Sequence, residues 1–173
     1  MITPIEELLD SIHAMLTAGV AAYGIPAVLP TAGDIAVYRG DTLVSTPIPH
    51  CVIYQAGPAK ERHKQGSGFW EIPVGVKLIM DRNGRVIGQS AADVAADIRT
   101  ISEDIEAVLT QDLLITSGDQ DGGSSTPEQR LTTASIHVWE VSDVEVMADT
   151  EAEGDPSCEI NLTVFCTQAA RII

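Results

Sequence analysis

Over the first twenty residues the apolar side chains recur three and four apart. Ile5, Leu8, Leu9, Ile12, Met15, Leu16 and Val20 line one stripe of a helix. Thr3 can cap it, Pro4 suits its first position, and Glu6 completes a capping box. Gly24 and Pro26 are the stop signals, so the spacing predicts a helix over about 4–22. Residues 25–50 carry Pro26, Pro30, Pro47 and Pro49 and read as irregular, with one short strand from Asp34 to Arg39. A strand follows at Cys51-Val52-Ile53-Tyr54-Gln55, and Gly57-Pro58 stops it.

The clearest period-two run is Trp70, Ile72, Val74, Val76, Leu78 and Met80, in a strand over about 69–80. Pro73 within it predicts an edge position or a bulge. Asp81-Arg82-Asn83-Gly84 reads as a turn. Ser90 and Asp93 then open a second helix, placed at about 90–113. Val94, Ile98, Ile101, Ile105, Val108 and Asp112 mark its sheet-facing side. Residues 117–129, rich in Gly, Ser and Asp, read as a mobile loop.

The C-terminal third reads as a long hairpin. Ile136 to Ala148 is strand-like but changes phase, which predicts a bulge or break near Ser142-Asp143. Cys158, Ile160, Leu162, Val164 and Cys166 alternate with Glu159, Asn161, Thr163 and Phe165, as in a strand with one buried face. The expected fold is α+β in a single domain spanning 1–173. Two helices pack on a mostly antiparallel sheet of about four to five strands.

At 173 residues the chain can bury a core unaided. Its 45% hydrophobic and 20% charged content is that of a folded protein, and it holds no apolar run long enough to span a membrane. The N-terminus lacks the basic start and apolar run of a signal peptide. Three cysteines without close spacing point to reduced thiols in a cytosol.

Charge changes the picture more. With 25 acidic and 10 basic residues the net charge is −15. Such a surface favours solubility and disfavours tight wrapping of nucleic acid or anionic membranes. The acids are unevenly placed: residues 118–160 hold eleven of them against one base, Arg130. By contrast, Lys60, Arg62 and Lys64, with His63 among them, form a locally basic segment in a polar loop over 57–68. These four are the candidate subunit or partner interface, in a loop expected to order against a neighbouring protein. In a head-to-tail ring, unlike patches of one subunit can meet on its neighbours.

Catalytic signatures are thin. His50-Cys51 could be a nucleophile pair, but neighbours on a strand point to opposite faces, and Cys51 reads as a small core hydrophobe. His13 and His137 read as face residues. Gly66-Ser67-Gly68 and Gly122-Gly123-Ser124-Ser125 precede strands, whereas a phosphate cradle needs a helix behind it. Asp149, Glu151, Glu153 and Asp155 alternate at the hairpin tip without calcium-loop spacing and read as solvated. No catalytic residue, metal or cofactor is expected.

The chain resembles the tail-terminator proteins of long-tailed bacteriophages, minor tail proteins that cap the tail tube. Four places carry the likeness: the amphipathic helix from Thr3 to Val20, and the proline-led strand Ile48-Pro49-His50-Cys51-Val52-Ile53-Tyr54. The third is the long strand opening Phe69-Trp70-Glu71-Ile72-Pro73-Val74. The fourth is the helix opened by Ser90-Ala91-Ala92-Asp93, with the acidic-tipped hairpin after it. The likeness covers about 1–168. It implies a virion protein assembled in the host cytoplasm as a hexameric ring, meeting the tail-tube protein on one side and a head-completion or connector protein on the other. It implies no enzyme activity and no membrane. DNA, with one charge per roughly 1.7 Å, would slide through an acidic ring without being gripped. The alternatives are a tail-tube or head-completion protein of the same neck, a small hydrolase using Cys51 or His63, and a binding module whose partner carries a basic patch.

Overall fold

The computed structural model describes residues 4–19, 27–29, 35–40, 49–61, 68–80, 91–112, 136–149 and 155–168. In chain order these form α1 (Pro4–Ala18), β1 (Ala36–Arg39), β2 (His50–Gln55), β3 (Lys60–Glu61), β4 (Phe69–Ile79), α2 (Ala91–Ala107), β5 (Ile136–Val141), β6 (Glu145–Asp149) and β7 (Ser157–Gln168). The class is α+β, with a mostly antiparallel sheet of seven strands. The order is β1-β2-β4-β7-β5, with β3 also on β4 and β6 also on β7. Only β1 and β2 run parallel.

Seven strands replace the four to five expected, for two local reasons. Lys60–Glu61 pairs with β4 through Lys60↔Glu71 and Glu61↔Trp70, so part of the expected loop is a strand. Two residues are too few to carry a period. The strand expected over 136–148 divides into β5 and β6, both borne by β7. Its phase changes in two steps, a bulge between Val138 and Glu140 and a break at 142–144. Ser142 bridges the break: its N–H donates to Thr163 O (2.9 Å) and its Oγ accepts from Thr163 N (2.8 Å).

α1 ends sooner than its apolar stripe suggests. Gly19 adopts φ 66° and donates its N–H to Met15 O at 3.0 Å, a left-handed cap that only glycine adopts cheaply. The helix therefore stops at Ala18. The predicted cap Thr3, the last stripe residue Val20 and the stop signals Gly24 and Pro26 lie outside the described residues. Leu29 returns to the helix end, donating to Leu16 O at 2.6 Å and burying its side chain. α2 runs on into a π-helical turn, Val108–Asp112. Its buried line is Ile98, Ser102, Ile105, Val108 and Leu109. Ser102 and Leu109 stand outside the stripe read from spacing. Ser102 is polar, and its Oγ is satisfied by donating to Arg99 O at 2.8 Å.

Pro73 lies in the middle of the sheet, at neither an edge nor a bulge. β4 pairs with β7 along its whole length, with Pro73 opposite Thr163. On the other side β2 covers Val74–Ile79 and β3 covers Trp70–Glu71, so the imino nitrogen falls in the gap between them. The Pro73 carbonyl accepts from Ala56 N–H at 3.0 Å, and Gly57 packs against the ring. A central strand tolerates proline where no ladder bond is needed from it.

One face of the sheet presents Cys51, Ile53, Ile72, Val74, Val76, Leu78, Cys158, Ile160, Leu162, Val164 and Cys166 to α1 and α2, and together they form the core cluster. Arg39 ties α1 to strand β1 on this side. Its Nη2 donates to Glu6 Oε2 at 2.8 Å, and its Nη1 pairs with Asp10. No described helix is long and apolar enough to cross a membrane.

Candidate interaction surface

Strand periodicity divides the chemistry between two faces. The face turned away from α1 and α2 carries Tyr38, His50, Val52, Tyr54, Glu71, Lys77, Glu159, Asn161 and Phe165, each opposite a residue of the same face on the next strand. Val52 is 6% exposed yet stands outside the core cluster, which places it on this second side. His50 is also buried here, edge-on to Tyr38 with ring centroids 6.1 Å apart.

At its centre Tyr54 lies across Gly75. A Cβ on Gly75 would stand 2.7 Å from Tyr54 Cε1 and Oη, so the ring occupies the place a side chain would take. The Tyr54 hydroxyl donates to the Glu159 carboxylate, with Asn161 Oδ1 at 3.5 Å. Burial, then that hydrogen bond and the carboxylate's charge, push the phenol well above its ordinary range. The arrangement joins β2 to β7 over β4 and keeps a flat patch in the middle of the face.

Lys60 is the one member of the predicted interface set among the described residues. It is exposed on β3, opposite Glu71 and so on the face turned away from α1 and α2. Arg62, His63 and Lys64 lie outside the described residues. Glu61 closes the far end of that segment, its Oε1 accepting from Gly68 N–H at 3.0 Å, and Gly68 (φ 75°) leads straight into β4. Gly66-Ser67 lies outside, but the residue that follows Gly68 opens a strand, as expected.

β6 is unlike every other strand in being exposed at all five residues, including Val146 (42%) and Met147 (48%). The helix layer stops short of it. Sequence reading placed this segment within a hairpin strand and drew no site from it. Its signal is the weak run Glu145-Val146-Met147-Ala148-Asp149, whose two acids and Met147 share one face.

The other flagged residues fall apart chemically. Cys51 points into the core while His50 is on the opposite face, so the adjacent pair is no nucleophile and base. The thiolate is the reactive form, and burial pushes the Cys51 and Cys166 thiols up to about 12. Cys158 is raised by burial too, against the lowering effect of Ser102 beside it. His13 is half-buried on α1, and the side chain of His137 lies outside the described residues. Of the acidic tip, Glu151 and Glu153 lie outside, as do the loop 117–129, with its glycine run, and the turn at 81–84. No metal-type cluster occurs among the described residues. No protein-family model matches the chain, and no curated protein matches it.

Proposed function

We propose that this chain is a virion structural protein of the tail-terminator kind, a ring-forming subunit that caps a phage tail tube and joins it to the head. The reading is carried by one observation. Among the described residues α1 and α2 lie on one face of the sheet, while the other face, apart from the buried His50, Val52 and Gly75, keeps its side chains at least partly exposed, and the β6 margin is exposed throughout. A sheet built in this way offers its remaining surface to other subunits. The element order supports the same reading, as does the concentration of acids along β5–β7, which would repel DNA from a channel wall rather than hold it. In such a ring each weak contact is repeated around the symmetry axis, so modest interfaces become firm together. The test is negative-stain electron microscopy of the purified protein over a range of concentration, with particles lacking the gene examined beside it. Single rings with a duplex-sized hole, and mutant particles with unjoined heads and uncontrolled tail length, are expected. Long tubes would make the chain a tube subunit instead. Normal tails with attached heads in the mutant would overturn the reading.

A further inference from the structure

We propose that the outer edge of β6 pairs antiparallel with the outer edge of β1 in a second copy of this chain, with Met147 opposite Tyr38 of the neighbouring copy. The inference rests on the ring reading and names its contact.

β1 and β6 lie toward opposite ends of the sheet, and among the described residues neither has a strand on its outer side. β2, β4 and β7 stand between them, so one chain cannot join the two. An edge left open in this way is a pairing template. Four large apolar side chains are exposed among the described residues. Three of them, Tyr38 (37%), Val146 and Met147, stand on these two strands.

Direction and register agree. β1 runs with β2, β2 against β4, β4 against β7 and β7 against β6, so β6 meets the β1 of a neighbour antiparallel. One row crosses the whole sheet, from Tyr38 through Val52, Lys77 and Glu159 to Met147. Continuing that row across the joint seats the Met147 thioether beside the Tyr38 ring, a favourable contact for sulfur. On the helix side Val146 then meets Arg39, and Ala148 meets Val37. Arg39 is held against α1 by Glu6 and Asp10, so its stem is in place to cover the Val146 side chain that the chain's own helices do not reach. Glu145 meets Gly40, so it faces no like charge.

The backbone phase fits as well. Gly40 donates its N–H to Ile53 O at 2.9 Å, which turns Tyr38 and Gly40 toward β2 and leaves the amide groups of Val37 and Arg39 pointing outward. Met80 donates its N–H to Pro156 O at 2.9 Å, continuing the β4–β7 ladder. The even-numbered residues of β7 therefore serve β4 and the odd-numbered ones serve β6, so Met147 bonds inward and Val146 and Ala148 point outward. Outward groups meet outward groups: Val146 with Arg39 and Ala148 with Val37 are the hydrogen-bonded pairs, and Met147 with Tyr38 is the close pair between them. The contact is head-to-tail, and such contacts form rings when the rotation closes.

A close pair of this kind has its Cα atoms about 4.5 Å apart, within reach of a disulfide. The double variant Tyr38→Cys/Met147→Cys is therefore oxidised and run on a non-reducing gel. A covalent ladder rising to the ring size is expected, with no ladder from either single variant. The native thiols are buried and give no background. In parallel, Ala148→Pro removes an outward N–H and leaves the β7 ladder intact. It should keep the wild-type circular dichroism and raise the concentration needed for assembly by about tenfold or more in sedimentation velocity. No ladder from the double variant, with Ala148→Pro assembling like wild type, overturns this contact and leaves the ring reading standing. Disulfide dimers from Met147→Cys alone would reveal a two-fold pairing of β6 with itself and overturn the contact too. A wild-type chain that is monomeric at every concentration, with no ladder from the double variant, overturns both.

Discussion

β7 belongs to two regions of opposite character. From Ser157 to Thr167 it pairs with β4, Ile79↔Ser157 at one end and Phe69↔Thr167 at the other, and its inward residues are shut away under the helices. Along its other edge, residues 157–161 carry β6, which has the same ladder and almost no burial. Ile160 shows the contrast at one position. It is 1% exposed, with Val76 on one side and Val146, 42% exposed, on the other. Backbone pairing is equal on both sides, so pairing does not decide burial. The reach of the helix layer does. The β4–β7 centre is shut away from solvent, and the β6 margin is open to it.

The largest expected effect is at that position. Ile160→Ala should cost about 2–5 kcal/mol in urea denaturation, because it empties a packed site. Val146→Ala, across the ladder, should stay within about 0.5 kcal/mol. Equal costs would erase the distinction between the two regions.

Gly75→Ala comes next, at roughly 1–3 kcal/mol, since the new methyl meets the Tyr54 ring. Adding Tyr54→Ala should remove the clash and recover part of the loss. A Gly75→Ala protein as stable as wild type would show that the ring is not held by Glu159.

The core thiols give a pH test. Their ordinary value is 9.0, and Cys51 and Cys166 are pushed up to about 12 by burial. Below pH 9 they are protonated whether the chain is folded or not, and stability is unaffected. Above it the unfolded thiols ionise while the folded ones do not. Stability should therefore fall as pH rises from about 9 to 12, by about 1.4 kcal/mol per pH unit for each thiol. Tyr54, also raised, adds in the same direction above its ordinary 10.0. Native protein at pH 8 should resist iodoacetamide at Cys51, Cys158 and Cys166, and all three should react in denaturant. Alkylation of the native chain would place those strands nearer the margin than the centre.

The smallest effect belongs to the α1–β1 ion pairs. Glu6 and Asp10 are more than half exposed, so Arg39→Ala should cost about 1 kcal/mol or less, and less still in high salt.

Both helices, the long β4 and the alternating β7 were legible because each repeats a period over many residues, and repetition is what a pattern can reveal. The break at Ser142 was legible as a change of phase. β3 was not, because Lys60 and Glu61 gain strand geometry only from lying beside Glu71 and Trp70. Pro73 was misplaced because its rule concerns a missing donor. Whether a donor is missed depends on what lies alongside, here the gap between β2 and β3. The basic segment was legible as a composition anomaly, and the β6 margin was not. Nothing in Glu145-Val146-Met147-Ala148-Asp149 says that the helix layer ends before it.

The sequence by itself determined the class of fold, the inward phase of each long strand, the buried state of Cys51 and the separation of acidic from basic stretches. These follow from local periodicity and from charges carried wherever the chain goes. Tertiary structure alone decided that both helices share one face, that β4 and β7 form the centre, that Tyr54 fills the space over Gly75, and which strand is left exposed. Those depend on residues far apart in the chain arriving at one place, and no local pattern encodes the arrival.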